Sequence, residues 1–82
     1  MSTLERVQRV VSGVLRVPLA SVVPSARIEE LGETDSLTLA EIASALDAEF
    51  ATRVPSEELI AARSVADIAS LVEGLPRLAD AP

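Results

Sequence analysis

Apolar residues recur along this chain at helical spacing, interrupted by short polar and proline-bearing stretches. Leu4, Val7, Val11, Val14 and Leu15 form one stripe, with Arg6, Arg9, Gly13 and Arg16 on the opposite side. Ser2 followed by Glu5 is a capping-box pattern, and Pro18 closes the segment, which predicts a first helix over 3–16. Leu39, Ile42, Ala43, Leu46 and Phe50 share one side of a second helix over 36–51. Leu37, Ala40, Glu41, Ser44 and Ala48 occupy its other side, with Asp47 on the flank. Val54-Pro55 breaks the pattern. Ser56 then reads as an N-cap, with Glu57 and Glu58 favourable at the positive end of a short third helix that stops at Arg63-Ser64. Ser64 and Asp67 cap a last helix whose stripe is Val65, Ile68, Ala69 and Val72, and Gly74 and Pro76 end it.

Residues 18–35 read as a long loop. An irregular connection of that length is uncommon in a compact domain and is often functional. Val22, Ile28 and Leu31 are expected to pin it to the core, and Gly32 to supply a turn conformation closed to other residues. The pattern as a whole predicts an all-α fold. It is a small four-helix bundle of three longer helices and a short third one, with the long loop between helices one and two. Residues 1–75 are expected to form the bundle and residues 76–82 a flexible C-terminal tail. There is no internal repeat and no linker long enough to divide the chain.

Composition narrows the chemistry. The chain of 82 residues is 49% hydrophobic but only 1% aromatic, so aliphatic side chains must build the core around the one ring, Phe50. It has no cysteine, histidine, lysine or tyrosine. Disulfides and thiolate metal sites are excluded, no metal site is expected, and the usual bases and covalent nucleophiles are missing. This argues against an enzyme, and no catalytic residue is assigned. The net charge of −6 is unsuited to nucleic acid and suited to partners with basic patches. The N-terminus lacks the apolar run of a signal peptide, and no segment approaches the ~20 apolar residues that span a bilayer. A cytoplasmic monomer is expected.

Asp35-Ser36-Leu37 stands out against this background, placing a hydroxyl where the second helix begins. Taken alone it reads as a cap, supplied by Ser36 or by Asp35. Its setting says more. Glu30-Leu31-Gly32, Asp35-Ser36-Leu37, Glu41, Leu46, Glu49-Phe50, Val54-Pro55 and Glu57-Glu58 follow one another in order, preceded by Val22, Ala26, Ile28 and Glu29. With that set the chain resembles the acyl carrier proteins, helical bundles that bear a phosphopantetheine arm, from about Leu4 to Val72.

The resemblance implies that Ser36 carries 4′-phosphopantetheine, taken from coenzyme A by a phosphopantetheinyl transferase that handles the Mg²⁺. An anionic phosphodiester suits a helix N-terminus. The arm would hold acyl groups as thioesters, which lets a chain without cysteine take part in thiol chemistry. It would pass them between acyl-loading, synthase and tailoring enzymes whose basic docking patches meet Asp35, Leu37, Glu41 and Asp47. The resemblance also allows the bundle interior to open around an acyl chain, with small residues such as Ala43 permitting it.

Two departures bear on this. The family usually has one residue between the glycine and the aspartate, whereas Glu33 and Thr34 both intervene here. The longer loop is expected to bulge outward without moving Ser36. The exposed side of the second helix is also trimmed, with Ala40, Ser44 and Ala48 where relatives often carry larger apolar or acidic residues. That leans toward polyketide or other specialised metabolism, with a discrete carrier working outside the general fatty-acid synthase. The alternatives are a discrete peptidyl or aminoacyl carrier, or an unmodified carrier-like interaction module. A hydrolase using Ser36 as nucleophile lacks a base to activate it.

Overall fold

The computed structural model describes residues 1–78 and is all-α. Five helices follow in order: α1 (Thr3–Leu15), α2 (Ile28–Leu31), α3 (Ser36–Phe50), α4 (Ser56–Ala61) and α5 (Val65–Gly74). The predicted bundle is therefore present with one more short helix than the pattern indicated. α1 packs against α3 and α5, and α4 closes the remaining side against α3 and α5. Ile42, Leu46, Ile68, Val7, Val11, Val22 and Val65 are fully buried at the centre, from three helices and the long connection. Phe50 is 3% exposed, as its place in the stripe requires.

Local signals set most of the helix ends. The Ser2 side chain accepts from Glu5 N–H, and Glu5 reaches back to Ser2 N–H. Ser64 and Asp67 do the same for α5. α1 ends in left-handed Arg16 at φ 57° and α3 in left-handed Ala51 at φ 51°, so neither terminator is a glycine or the downstream proline. The cap of α4 is Pro55, not Ser56, which lies inside the first turn.

The expected long loop is mostly built structure. It holds a 3-10 turn at Leu19–Ser21 and then α2, whose first turn is fixed by Arg27 N–H donating to the Glu30 carboxylate at 3.2 Å. Its carbonyls cap another helix: Val65 N–H donates to Ala26 O at 3.0 Å and Ala66 N–H to Pro24 O at 2.9 Å. Gln8 Nε2 donates to Val22 O at 2.8 Å, tying the same segment to α1. Val22 and Ile28 are buried and Leu31 half-buried beneath these bonds, as expected. Gly32 departs from expectation. Its backbone is extended at φ −178°, which any residue adopts, and a Cβ there would meet Leu15 at ordinary contact distance.

Arg6, assigned to a solvent face by periodicity, lies across the joint of α1 and α3. Its Nε donates to Glu49 Oε2 at 2.8 Å, its Nη2 to Glu49 O at 2.6 Å, and the guanidinium sits 4.4 Å from the Phe50 ring centre. After α5, Thr52 Oγ1 donates to Pro76 O and Leu78 N–H to Ala51 O, both at 2.7 Å. Pro76 and Leu78, within the stretch expected to be a flexible tail, thus make hydrogen bonds back to the bundle. Residues 79–82 of that tail lie outside the described residues.

Candidate functional site

Asp35 is the N-cap of α3, and Ser36 is the first residue inside the helix. The Asp35 carboxylate accepts from Thr38 N–H at 2.7 Å. That bond from the Thr38 backbone, joined by the Thr38 side chain, holds the Asp35 pKa below its ordinary value of 3.8. Asp35 therefore stays ionised at neutral pH. Of the two caps the sequence allowed, the aspartate takes the role, which leaves the Ser36 hydroxyl unused by the fold. Ser36 is exposed. Among the described residues, the backbone N–H groups of Ser36 and Leu37 have no hydrogen-bond partner.

This arrangement fits a phosphodiester. The hydroxyl is accessible, and two free N–H groups at the positive end of a fifteen-residue helix are available to its oxygens. Asp35 turns its charge onto Thr38 rather than onto those donors.

The family profile described as the phosphopantetheine attachment site matches residues 5–72. The chain belongs to that carrier family. The acyl carrier protein of Helicobacter hepaticus is 34% identical over 73 residues, which is 89% of this carrier and 96% of the relative. The acyl carrier protein of Thermosynechococcus vestitus is 35% identical over 69 residues, covering 84% of this carrier and 85% of the relative. The chain is an acyl carrier protein by these matches, and 4′-phosphopantetheine is its covalent prosthetic group. Carriers of this kind work with a phosphopantetheinyl transferase and with synthase enzymes. No helix among the described residues is long and apolar enough to cross a membrane, and no acidic cluster among them is arranged to hold a metal ion.

The four residues expected to meet partners divide into two groups. Asp35, Leu37 and Glu41 follow one another on the first turns of α3, all exposed, with Leu37 at 69%. Asp47 lies farther along the axis, about 9 Å beyond Glu41 and about 15 Å beyond Leu37. It is half-buried, and its Oδ1 accepts from Val54 N–H at 2.7 Å. The structure does not bring Asp47 to the same patch. Ala40, Ser44 and Ala48 are exposed beside Glu41, as periodicity predicts.

A cleft of about 440 Å³ opens beside the N-terminal end of α3. Its floor is aliphatic, with Ile28, Leu39, Ile42, Leu59 and Ile68, and Thr34 of the lengthened loop lines it. Arg27 and Arg63 also line it. Sequence reading singled out neither arginine, because nothing in local spacing shows that residues 27 and 63 become neighbours. The backbone pairing of Arg27 with Ser64 brings them together.

Proposed function

We propose that Ser36 is the attachment point, and that the protein carries thioester-bound acyl groups between biosynthetic enzymes while catalysing no step itself. The observation that carries this reading is the Ser36 hydroxyl: exposed, free of any capping duty, and first in α3 beside two unpaired N–H groups. In loading, the hydroxyl oxygen gives up its proton and forms a bond to phosphorus, and the nucleotide part of coenzyme A leaves. The arm supplies the thiol that the chain lacks. The chain's own residues do the rest: Asp35 fixes the start of α3, the unpaired N–H groups of Ser36 and Leu37 would be available to the phosphodiester, and Leu37 and Glu41 present a small apolar and acidic patch to partner enzymes.

The partner set is one for polyketide or other specialised metabolism. The small exposed residues Ala40, Ser44 and Ala48 support it, because they leave α3 with little apolar relief for a general synthase to grip. The absence of histidine, cysteine and lysine supports a carrier that is not an enzyme.

Intact-mass measurement tests the attachment. The purified chain, incubated with coenzyme A, Mg²⁺ and a broad-specificity phosphopantetheinyl transferase, should gain one phosphopantetheine, and Ser36→Ala should gain none. A wild-type chain that stays unmodified beside a carrier that loads in the same tube would overturn the reading. Assay with fatty-acid synthase enzymes tests the pathway: turnover equal to that of a housekeeping carrier would remove the specialised assignment.

A further inference from the structure

The cleft beside α3 is not uniformly apolar. Its aliphatic floor would accept a hydrocarbon chain, yet Arg27 and Arg63 line the same space with Glu29 and Thr34. Arg27 reaches Glu29 only through one long contact, Nη1 to Oε1 at 3.7 Å. Arg63 makes no ion pair among the described residues. The cleft therefore carries a net positive lining within a chain whose net charge is −6.

That lining sets what fits. A cargo ending in a methyl group satisfies the floor but offers no anion to the two exposed guanidinium groups at its rim. A cargo ending in a carboxylate satisfies both parts, because the planar guanidinium fork matches the two carboxylate oxygens. Thr34 adds a hydroxyl that accepts or donates. A volume of about 440 Å³ is within the usual range for a small-molecule site. We infer that this cleft selects acyl cargo bearing a terminal carboxylate, which Arg27 and Arg63 hold while the aliphatic floor covers the methylene chain. The inference rests on the carrier reading, since the cargo reaches the cleft on the arm of Ser36.

The test uses the full chain loaded with three cargoes of equal length, ending in methyl, carboxylate or carboxamide. Intact mass first reports loading. A chain that never takes up the arm overturns the carrier reading, and this inference with it. Once loading is seen, the inference stands or falls separately. Hydroxylamine cleavage of the thioester then reports shelter, and the methyl resonances of Ile42, Leu59 and Ile68 report occupancy of the cleft. The carboxylate cargo should be cleaved about two- to fivefold more slowly than either neutral one, the scale of an ion pair made at an exposed site. It should also shift those methyls most. Arg27→Gln with Arg63→Gln should erase the difference, with folding followed by circular dichroism. Should the double variant unfold, raised ionic strength on the wild-type chain serves instead and should narrow the gap. Equal cleavage of all three cargoes, faster cleavage of the carboxylate one, or an advantage that survives both the substitutions and salt would overturn the inference.

Discussion

The carboxylate of Asp47 accepts the backbone N–H of Val54 at 2.7 Å, joining the last turns of α3 to the segment that leads into α4. A side chain on an acidic helix face is thereby occupied with the fold. Val54 itself is buried at 5% exposure, so its amide has little access to water as a substitute partner.

Asp47→Ala should therefore lower stability by about 1.5–3 kcal/mol, the range for a hydrogen bond to a charged group. Glu41→Ala, on an exposed position of the same helix, should change stability by less than about 0.5 kcal/mol. Urea denaturation of both variants checks the contrast. For recognition the order should invert: Glu41→Ala should slow transferase loading several-fold, and Asp47→Ala should load at the wild-type rate while folded. Equal stability losses would show that Asp47 belongs with the docking residues after all.

Phe50→Ala should cost about 3–5 kcal/mol, the range for removing a buried ring. Total stabilities of small domains run to about 5–15 kcal/mol, so this one change would remove a large share. The ring also underlies Arg6 at 4.4 Å. Arg6 and Glu49 retain 29% and 40% side-chain exposure, so their coupling in a double-mutant cycle should stay near 0.5–1 kcal/mol. Arg6→Ala should cost more than that coupling, because it also removes the contact with Phe50 and the bond to the Glu49 carbonyl. Thermal melts of the single and double variants would decide it.

Ser36→Ala should leave the bundle intact within about 0.5 kcal/mol, since the hydroxyl makes no hydrogen bond and Asp35 does the capping. Circular dichroism melts beside the mass measurement separate the two effects. A substantial loss of stability would mean that the hydroxyl serves the fold.

Asp35 should make the start of α3 sensitive to acid. Its carboxyl is held below the ordinary value of 3.8 by the Thr38 bond. The stabilisation is complete above the unfolded-state pKa and is lost as pH falls through the lower folded-state value. Asparagine caps a helix as well as aspartate does but does not titrate there. Asp35→Asn should match wild type at neutral pH and outlast it in acid below pH 3.8, measured as the difference between the two acid-unfolding curves. Parallel curves would contradict the assignment.

The parts of the fold that were legible in the sequence are those written within one helical turn. The capping boxes of Ser2 with Glu5 and Ser64 with Asp67 link residues three apart, and the stripes of α1, α3 and α5 repeat at three and four. The missed parts depend on backbone groups far apart in the chain. α2 has four residues, too few to show a period, and the loop before it is held by the carbonyls of Pro24 and Ala26 on the first amides of α5. No side-chain type announces such bonds. Arg6 was misplaced because periodicity assigns a face by angle, while a long side chain bends back along apolar surface to reach Glu49 and Phe50. At the site, Asp35-Ser36-Leu37 was readable from order and spacing. Which residue caps α3, the engagement of Asp47 and the backbone pairing of Arg27 with Ser64 that puts Arg27 and Arg63 on one cleft all needed the assembled bundle.

The two ends of α3 have opposite fates. Phe50, Arg6 and Glu49 clamp its last turn, and the segment through Leu78 is bonded onto Ala51 and Thr52 just beyond. Ser36, at the other end, stands in open solvent. The helix is thus a bracket bolted at its far end, and on the reading proposed for Ser36 the arm would hang from the end these bonds leave free. Delivery would then depend on where each enzyme sits relative to Ser36, and on when the cleft beside α3 gives the cargo up.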